Sequence, residues 1–406
     1  MARVAPFEEG VRQWLEQRAG EMAELVCRLV AVPTENPPGR DLRRCAELLC
    51  HAFADLGVPA ELIPVETDRG LDDPHIVRAR AGDGGRLVYF HGHFDVVPAQ
   101  DQEQFVPRRA NGAITGRGSA DMRGGLAAMI YAAAALHALR PAGSGRVVLH
   151  LVCDEETGSA AGSGHLHRNG LISQDAAAML TPEPTGGAIW HANRGAITLR
   201  VTVRGREAHI GLAHAGVNAY EQAISIASDL RELAGELRRN RTTLDPGSDD
   251  GRGSVLVVAG ASGSGANFNV VPGSAWFSVD RRFNPEEDMD EEVDRLLSTI
   301  GRSAAAAGAE VEIEVLQRGP AGATAPDNPA ARTLARAVAR VEGAAPAFQL
   351  CPGVLETRWY SSLGIPAFAY GPGRLDVSHG PGELVEEAAI ARCALVYALT
   401  AGELLD

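Results

Sequence analysis

The chain has 406 residues, enough for two or three domains, and its 45% apolar and 22% charged residues describe a globular protein rather than a disordered one. Acidic residues outnumber basic ones by 52 to 38, and the net charge of −14 argues against a nucleic acid or an anionic membrane as partner. Every basic residue is Arg, which excludes Schiff-base and lysine general-base chemistry. The six cysteines (Cys27, Cys45, Cys50, Cys153, Cys351 and Cys393) form no CxxC pair and read as reduced thiols of a cytoplasmic protein. No apolar stretch of signal-peptide length opens the sequence, and the most apolar helical run, 126–139, is read as too short to cross a bilayer.

In chain order, a helical pattern over 7–31 stops at the prolines of VPTENPPG. Short apolar runs follow at RLVYF (86–90), RVVLHLV (146–152) and AAAML (176–180), with a helix opened by Gly124 and Gly125 between the first two. Strand, helix, strand in that order predicts an α/β domain, a mostly parallel sheet flanked by helices. The texture changes near 192. Ile197, Leu199, Val201 and Val203 alternate with polar residues, as a half-buried strand does. A helix with Ala223, Ala227, Leu230, Ala234 and Leu237 on one stripe comes next, then strands at 254–259 and 275–280. An acidic-capped helix at 287–300 and a strand through Val311, Ile313 and Val315 complete a β-α-β-β-α-β order, which is ferredoxin-like. The expectation is a main domain of 1–190 and 318–406, interrupted by an inserted α+β domain at 191–317. Residues 239–253, polar and Gly-rich, read as a mobile loop, and after 318 come a helix near 328–341 and the strand PAFAY.

The polar clusters fall at strand ends, where open α/β sheets place their sites. RLVYF runs into HGHFDVVP, in which His93 and Asp95 share one side of an extended chain. GRGSADMRGG carries Asp121 just ahead of a helix. RVVLHLV ends in CDEETG with Glu155 and Glu156, and AAAML ends in TPEPT with Glu183. GPGRLDVSHGPGE adds His379 and Glu383. Singly, each is a satisfied histidine, a solvated acidic pair or a turn. Together, two histidines and several carboxylates at successive strand ends suit zinc or a similar borderline cation, and point to a metal hydrolase.

The series HGHFDVVP, GRGSADMRGG, DEETG, EPT, NVVP with VDRR, and SHGPGE resembles metallopeptidase family 20 over nearly the whole chain. That family includes acetylornithine deacetylases, succinyl-diaminopimelate desuccinylases, glutamate carboxypeptidases and aminoacylases. The resemblance implies two divalent metals, zinc foremost with cobalt or manganese as alternatives. It makes His93 and Glu183 ligands of one ion, Glu156 and His379 ligands of the other, and Asp121 the bridge, with a cis Asp121–Met122 bond. Asp95 would fix the His93 ring and Glu155 would be the general base for a water shared between the metals. Substrate contacts would come from His209 in GREAHIG, Asn269, Arg282, Gly371 and Gly373. The inserted domain would be a lid and the seat of a homodimer.

The reaction so implied is hydrolysis of the amide of an N-acyl amino acid or related small carboxylate. A carboxypeptidase or dipeptidase on the same scaffold is the alternative, and a non-catalytic metal-binding relative is a third reading. Arg282 would grip a carboxylate with its planar fork, or form a structural ion pair with Asp280. LETRW offers Glu356 where the family usually has Asp, a difference expected to bear on the substrate.

Overall fold

The computed structural model describes residues 4–406, which divide into two units. The larger runs to His191 and resumes over Ala323–Gln349 and Glu356–Asp406; the smaller is Ala192–Gly322 with Leu350–Leu355. This last segment falls inside the range expected for the main domain. Its backbone explains the placement: the Leu350 amide donates to Asp245 O at 2.7 Å and the Arg194 amide to Gly353 O at 3.2 Å.

The larger unit is built on a nine-stranded sheet. At its centre, Leu87–His93 lies between Gly145–Val152 and Ala178–Thr181 and runs parallel to both. Ala367–Ala369 adds a further parallel strand, and the edge formed by His75–Asp83 and Ala60–Pro64 is antiparallel. All seven residues of Leu87–His93 are buried, as expected where both faces of a sheet are covered. One cover is the helix Gly124–Leu139, which is buried on every side from Gly124 to Leu136 and so shows no amphipathic stripe.

The helix Glu387–Leu405 packs against it and was not expected from the sequence, because it too is apolar around most of its circumference. The helical stretches Ser119–Leu139 and Glu387–Leu405 are long and apolar enough to span a bilayer, which corrects the length reading of 126–139. Both are mostly buried within the protein and serve as core helices. The pattern over 7–31 forms two helices, Val4–Glu16 and Ala19–Val30, separated where the Arg18 amide closes a tighter turn on Leu15 O.

The smaller unit is a four-stranded antiparallel sheet in the order Val255–Ser264, Ser274–Phe283, Gly195–Arg204, Glu310–Gly319. The helices Ala219–Leu237 and Met289–Ala306 share one apolar cluster with it, including Ile197, Leu199, Val201, Leu230 and Leu296. Asn218 and Asp288 cap the two helices through their side-chain oxygens, worth about 1 kcal/mol each. The loop 239–253 is tied down by Arg252, which donates to Thr242 O at 3.2 Å and Leu244 O at 2.7 Å.

The topology has one consequence for chemistry. Three adjacent parallel strands end at His93, at Val152 just before Glu155 and Glu156, and at Thr181 just before Glu183. Parallel strands present their carboxyl ends at the same edge, so segments far apart in sequence deliver their polar residues to one place.

Candidate metal centre

Asp121 is the hub of the cluster at that edge. Its Oδ1 lies 3.3 Å from His93 Nε2, and its Oδ2 lies 3.4 Å from His379 Nε2. His379 Nε2 is also 3.3 Å from Glu156 Oε1. Ligand-capable atoms of His93, Asp121 and Glu183 lie within 4.8 Å of one another, and so do those of Asp121, Glu156 and His379. The two triads share Asp121, with one carboxylate oxygen facing each. Glu183 Oε1 and Glu156 Oε1 are buried and accept no hydrogen bond, the latter despite its closeness to His379. A buried acceptor left in this state costs about 1–3 kcal/mol, more when charged, unless a cation satisfies it. The residues therefore fit two divalent ions, and imidazole with carboxylate is a zinc-type donor set.

Further contacts hold the triads in place. Asp95 is fully buried, and its Oδ1 lies 3.4 Å from His93 Nδ1, which leaves Nε2 to face Asp121 and Glu183. The same carboxylate accepts the amides of Glu155 (3.1 Å) and Glu156 (3.2 Å), and Asn36 Nδ2 donates to it at 3.0 Å. One side chain thus orients both the His93 ring and the turn that carries two glutamates.

Asp121 is fixed through its backbone. The amides of Ala120 and Asp121 donate to Glu383 Oε1 at 3.1 and 3.0 Å, and Arg117 Nη1 holds Oε2 at 2.8 Å. Removing one member of such a buried pair costs about 3–5 kcal/mol. The Asp121–Met122 peptide bond is cis, as expected.

Gly371 sets the position of Glu183: a Cβ there would stand 2.2 Å from Pro182 O and 2.3 Å from Glu183 O. Gly373 approaches Ala120 O in the same way, at 2.5 Å. The GPG loop is therefore the wall against which the segments carrying Asp121 and Glu183 pack.

Charge follows from this packing. Burial raises the Glu183 carboxyl to about 8, with Asp121 and Glu156 adding to the effect. Glu155 keeps part of its surface open. Shielding of its carboxylate pushes its pKa well above the ordinary value, and Glu156, Glu183 and Glu356 push the same way against His93. Burial works to raise Asp121 too, but the bonds from His379 and His93 outweigh it and hold the group below its usual range. Those carboxylates in turn raise His379 to about 10. The cluster carries more acid than its own histidines neutralise, which is the environment a divalent cation completes.

His93, Asp95, Asp121, Glu156, Glu183 and His379 are brought together at the strand ends, with Glu155 on the turn beside them. His209, Asn269 and Arg282 belong to the smaller unit. There the Gly211 amide donates to His209 Nδ1 at 3.1 Å, and the Ile210 amide to Asn269 O at 3.0 Å. Arg282 makes a two-point ion pair with Asp280, at 2.6 and 3.0 Å.

Sequence reading missed the supporting groups Asn36 and Arg117, and its expectation that Glu356 bears on the substrate is corrected by where that side chain lies. Glu356 is buried against His91 and Arg358 rather than set among the metal-facing side chains. The DEETG and SHGPGE motifs gave no sign of these partners, which lie far off in sequence.

Known proteins share this architecture. Residues 89–403 match the model of peptidase family M20/M25/M40. A succinyl-diaminopimelate desuccinylase of Bordetella petrii is 28% identical over 396 residues, covering 94% of this chain and 97% of that protein. An N-formyl-4-amino-5-aminomethyl-2-methylpyrimidine deformylase of Halalkalibacterium halodurans is 24% identical, covering 93% of each. Among solved structures, an M20 metallo-carboxypeptidase of Sulfolobus solfataricus superposes with a TM-score of 0.79 at 17% identity, covering 95% of this chain and 99% of that one. A dipeptidase of Saccharomyces cerevisiae gives 0.78 at 16% identity, covering 98% of both. The match over most of its length, on top of the paired triads around Asp121, makes the chain a member of peptidase family M20/M25/M40.

Proposed function

We propose that this metallohydrolase removes the acyl group from an N-acyl amino acid or a related small carboxylate, by hydrolysis of the amide bond. The observation that carries the proposal is the pair of triads meeting at Asp121. His93, Asp121 and Glu183 would hold one divalent ion and Asp121, Glu156 and His379 the other, zinc being the simplest choice for these donors. Such ions, when bound, lower the pKa of a water and polarise the amide carbonyl.

The chain's own residues do the rest. Glu155 accepts the water's proton as the oxygen attacks the carbonyl carbon, then returns that proton to the leaving nitrogen. Its raised pKa suits both halves of the task, since the carboxylate that takes the water's proton must also hold it until the leaving nitrogen receives it. Asp95 keeps the His93 ring and the Glu155–Glu156 backbone in register throughout.

His209, Asn269, Arg282, Gly371 and Gly373 are the substrate contacts we assign. Arg282 would exchange Asp280 for the substrate's carboxylate, and His209 would donate to the oxyanion in the partner's site. We place the enzyme in the cytoplasm as a homodimer joined through the smaller unit. Support comes from six free cysteines and from exposed apolar residues on the outer strands of that unit, Val257 and Val315 among them.

Both sequence relatives reported above carry names that denote removal of an acyl group, which favours deacylation over the carboxypeptidase or dipeptidase alternative. The test is a panel of N-acetyl, N-succinyl and N-carbamoyl amino acids, run with dipeptides on the zinc-loaded protein. Turnover of an N-acyl amino acid at least about tenfold above every dipeptide supports deacylation. The reverse order assigns the enzyme to peptides.

A further inference from the structure

Glu155 and Glu156 ride on one short turn, Glu155–Thr157, so its placement decides where both carboxylates point. The two residues that leave the turn, Gly158 (φ 101°) and Ser159 (φ 65°), are left-handed. Glycine adopts that conformation freely. A serine there is held at a cost of about 1–2 kcal/mol and needs something to hold it.

Its backbone is held locally, the Ser159 amide donating to Asp154 O at 2.8 Å, and its side chain is held from the other end of the chain. Ser159 Oγ donates to Glu356 Oε1 and accepts from Arg358 Nη2 at 3.0 Å. The second oxygen of Glu356 accepts from Ser163 Oγ and lies 3.2 Å from His91 Nε2, while Arg358 Nη1 lies 3.2 Å from the first. His91 Nδ1 is 3.0 Å from the Tyr360 hydroxyl, which in turn is 2.9 Å from His150 Nδ1. Glu356 and Arg358 are each only 1% exposed. Asp95 grips the entry of the turn through the amides of Glu155 and Glu156, and Glu356 grips its exit through Ser159.

Buried ion pairs add little net stability on their own, so stability alone is a weak reason for this cluster. Its geometry gives it another role. We propose that Glu356 is a positioning residue that sets, through Ser159 Oγ, the turn aiming Glu155 at the attacking water. The inference rests on the assignment of Glu155 as the base.

Two serines donate to the same carboxylate, and only one of them leaves the turn; Ser163 opens the helix Ser163–Arg168 instead. That contrast supplies the test. Steady-state kinetics, zinc content and Tm are measured for Ser159→Ala, Ser163→Ala, Glu356→Gln, Glu155→Gln and the Ser159→Ala/Glu356→Gln double variant, using the best substrate of the panel above.

Misplacing a catalytic group by about 1 Å costs roughly 100-fold. Ser159→Ala should therefore lose on the order of 100-fold in kcat, with KM within about threefold and zinc retained. Ser163→Ala should change kcat by less than about threefold. The double variant should be no slower than Glu356→Gln alone within about twofold, because both changes break one link. Equal effects of the two serine variants, or losses that multiply in the double variant, overturn the proposal. If Glu356→Gln does not fold, the serine contrast alone decides. Glu155→Gln turning over within about threefold of wild type would withdraw the base assignment and this inference together. An inactive Glu155→Gln beside equal serine effects overturns the positioning role only.

Discussion

Gly371→Ala adds one methyl group at a place where nothing can move cheaply. Its Cβ would meet Pro182 O at 2.2 Å and Glu183 O at 2.3 Å, both backbone atoms, whereas ordinary contact begins near 3.4 Å. The Pro182–Glu183 segment must retreat by more than 1 Å, or the GPG loop must lift away from it. Either movement displaces Glu183 from the triad it forms with His93 and Asp121. A displacement of about 1 Å in a catalytic constellation costs roughly 100-fold in rate, and here it also loosens a ligand. The expected result is a folded protein that binds fewer than two zinc ions per chain and loses about 100-fold or more in kcat/KM. Elemental analysis and steady-state kinetics read the two effects separately. Gly382→Ala is the control, since nothing lies within 4 Å of a Cβ there. Full zinc occupancy with activity within about threefold of wild type for Gly371→Ala would refute the close-packing account of the GPG loop.

Glu155→Gln should keep both metals yet lose about 1,000-fold or more in kcat, because the amide matches the shape but cannot take the proton; activity near wild type contradicts the assignment. Glu156→Gln and His379→Ala should instead lose metal, visible by elemental analysis before any kinetics. For the metal-free protein, Tm should fall as pH rises from about 5 to 9. Glu183, raised from 4.5 to about 8, keeps a proton in the folded state that the unfolded chain has released, so its contribution is lost across that window. His379, raised from 6.5 to about 10 by Asp121 and Glu156, has the same sign, and a flat or rising apo profile contradicts both. Finally, mixing inactive Glu155→Gln and His209→Ala subunits should restore activity if His209 acts across the dimer. A dead mixture with proven subunit exchange places its action elsewhere.

What the sequence shows of this molecule depends on how local each signal is. The strand ends at His93, Glu155, Glu156 and Glu183 were legible because each polar residue directly follows an apolar run, and the α/β texture says where such runs finish. The β-α-β-β-α-β unit was legible because its strands alternate apolar and polar residues; in the inner strands Gly195–Arg204 and Ser274–Phe283 that alternation marks a dry face, whereas the outer strands leave Val257, Ile313 and Val315 exposed.

The helix Glu387–Leu405 escaped for the opposite reason. Buried around most of its circumference, it has no helical period to detect. The Arg117–Glu383 pair and the Glu356 cluster escaped because nothing near them in sequence announces the partner. Arg117 and Glu383 are joined by the fold alone, as are His91 and Glu356. The segment 239–253 reads as a mobile loop by composition, which says nothing of the short helical turn Asp249–Arg252 or of the hydrogen bonds by which Arg252 closes it.

The central claim is that Asp121 lies between two metal ions. Anomalous diffraction at the zinc edge, from crystals of the zinc-loaded protein, tests it most directly. The account predicts two peaks per chain, one against His93 and Glu183 and the other against Glu156 and His379, with an oxygen of Asp121 on each. A single fully occupied peak, or two peaks of which Asp121 touches only one, would contradict it.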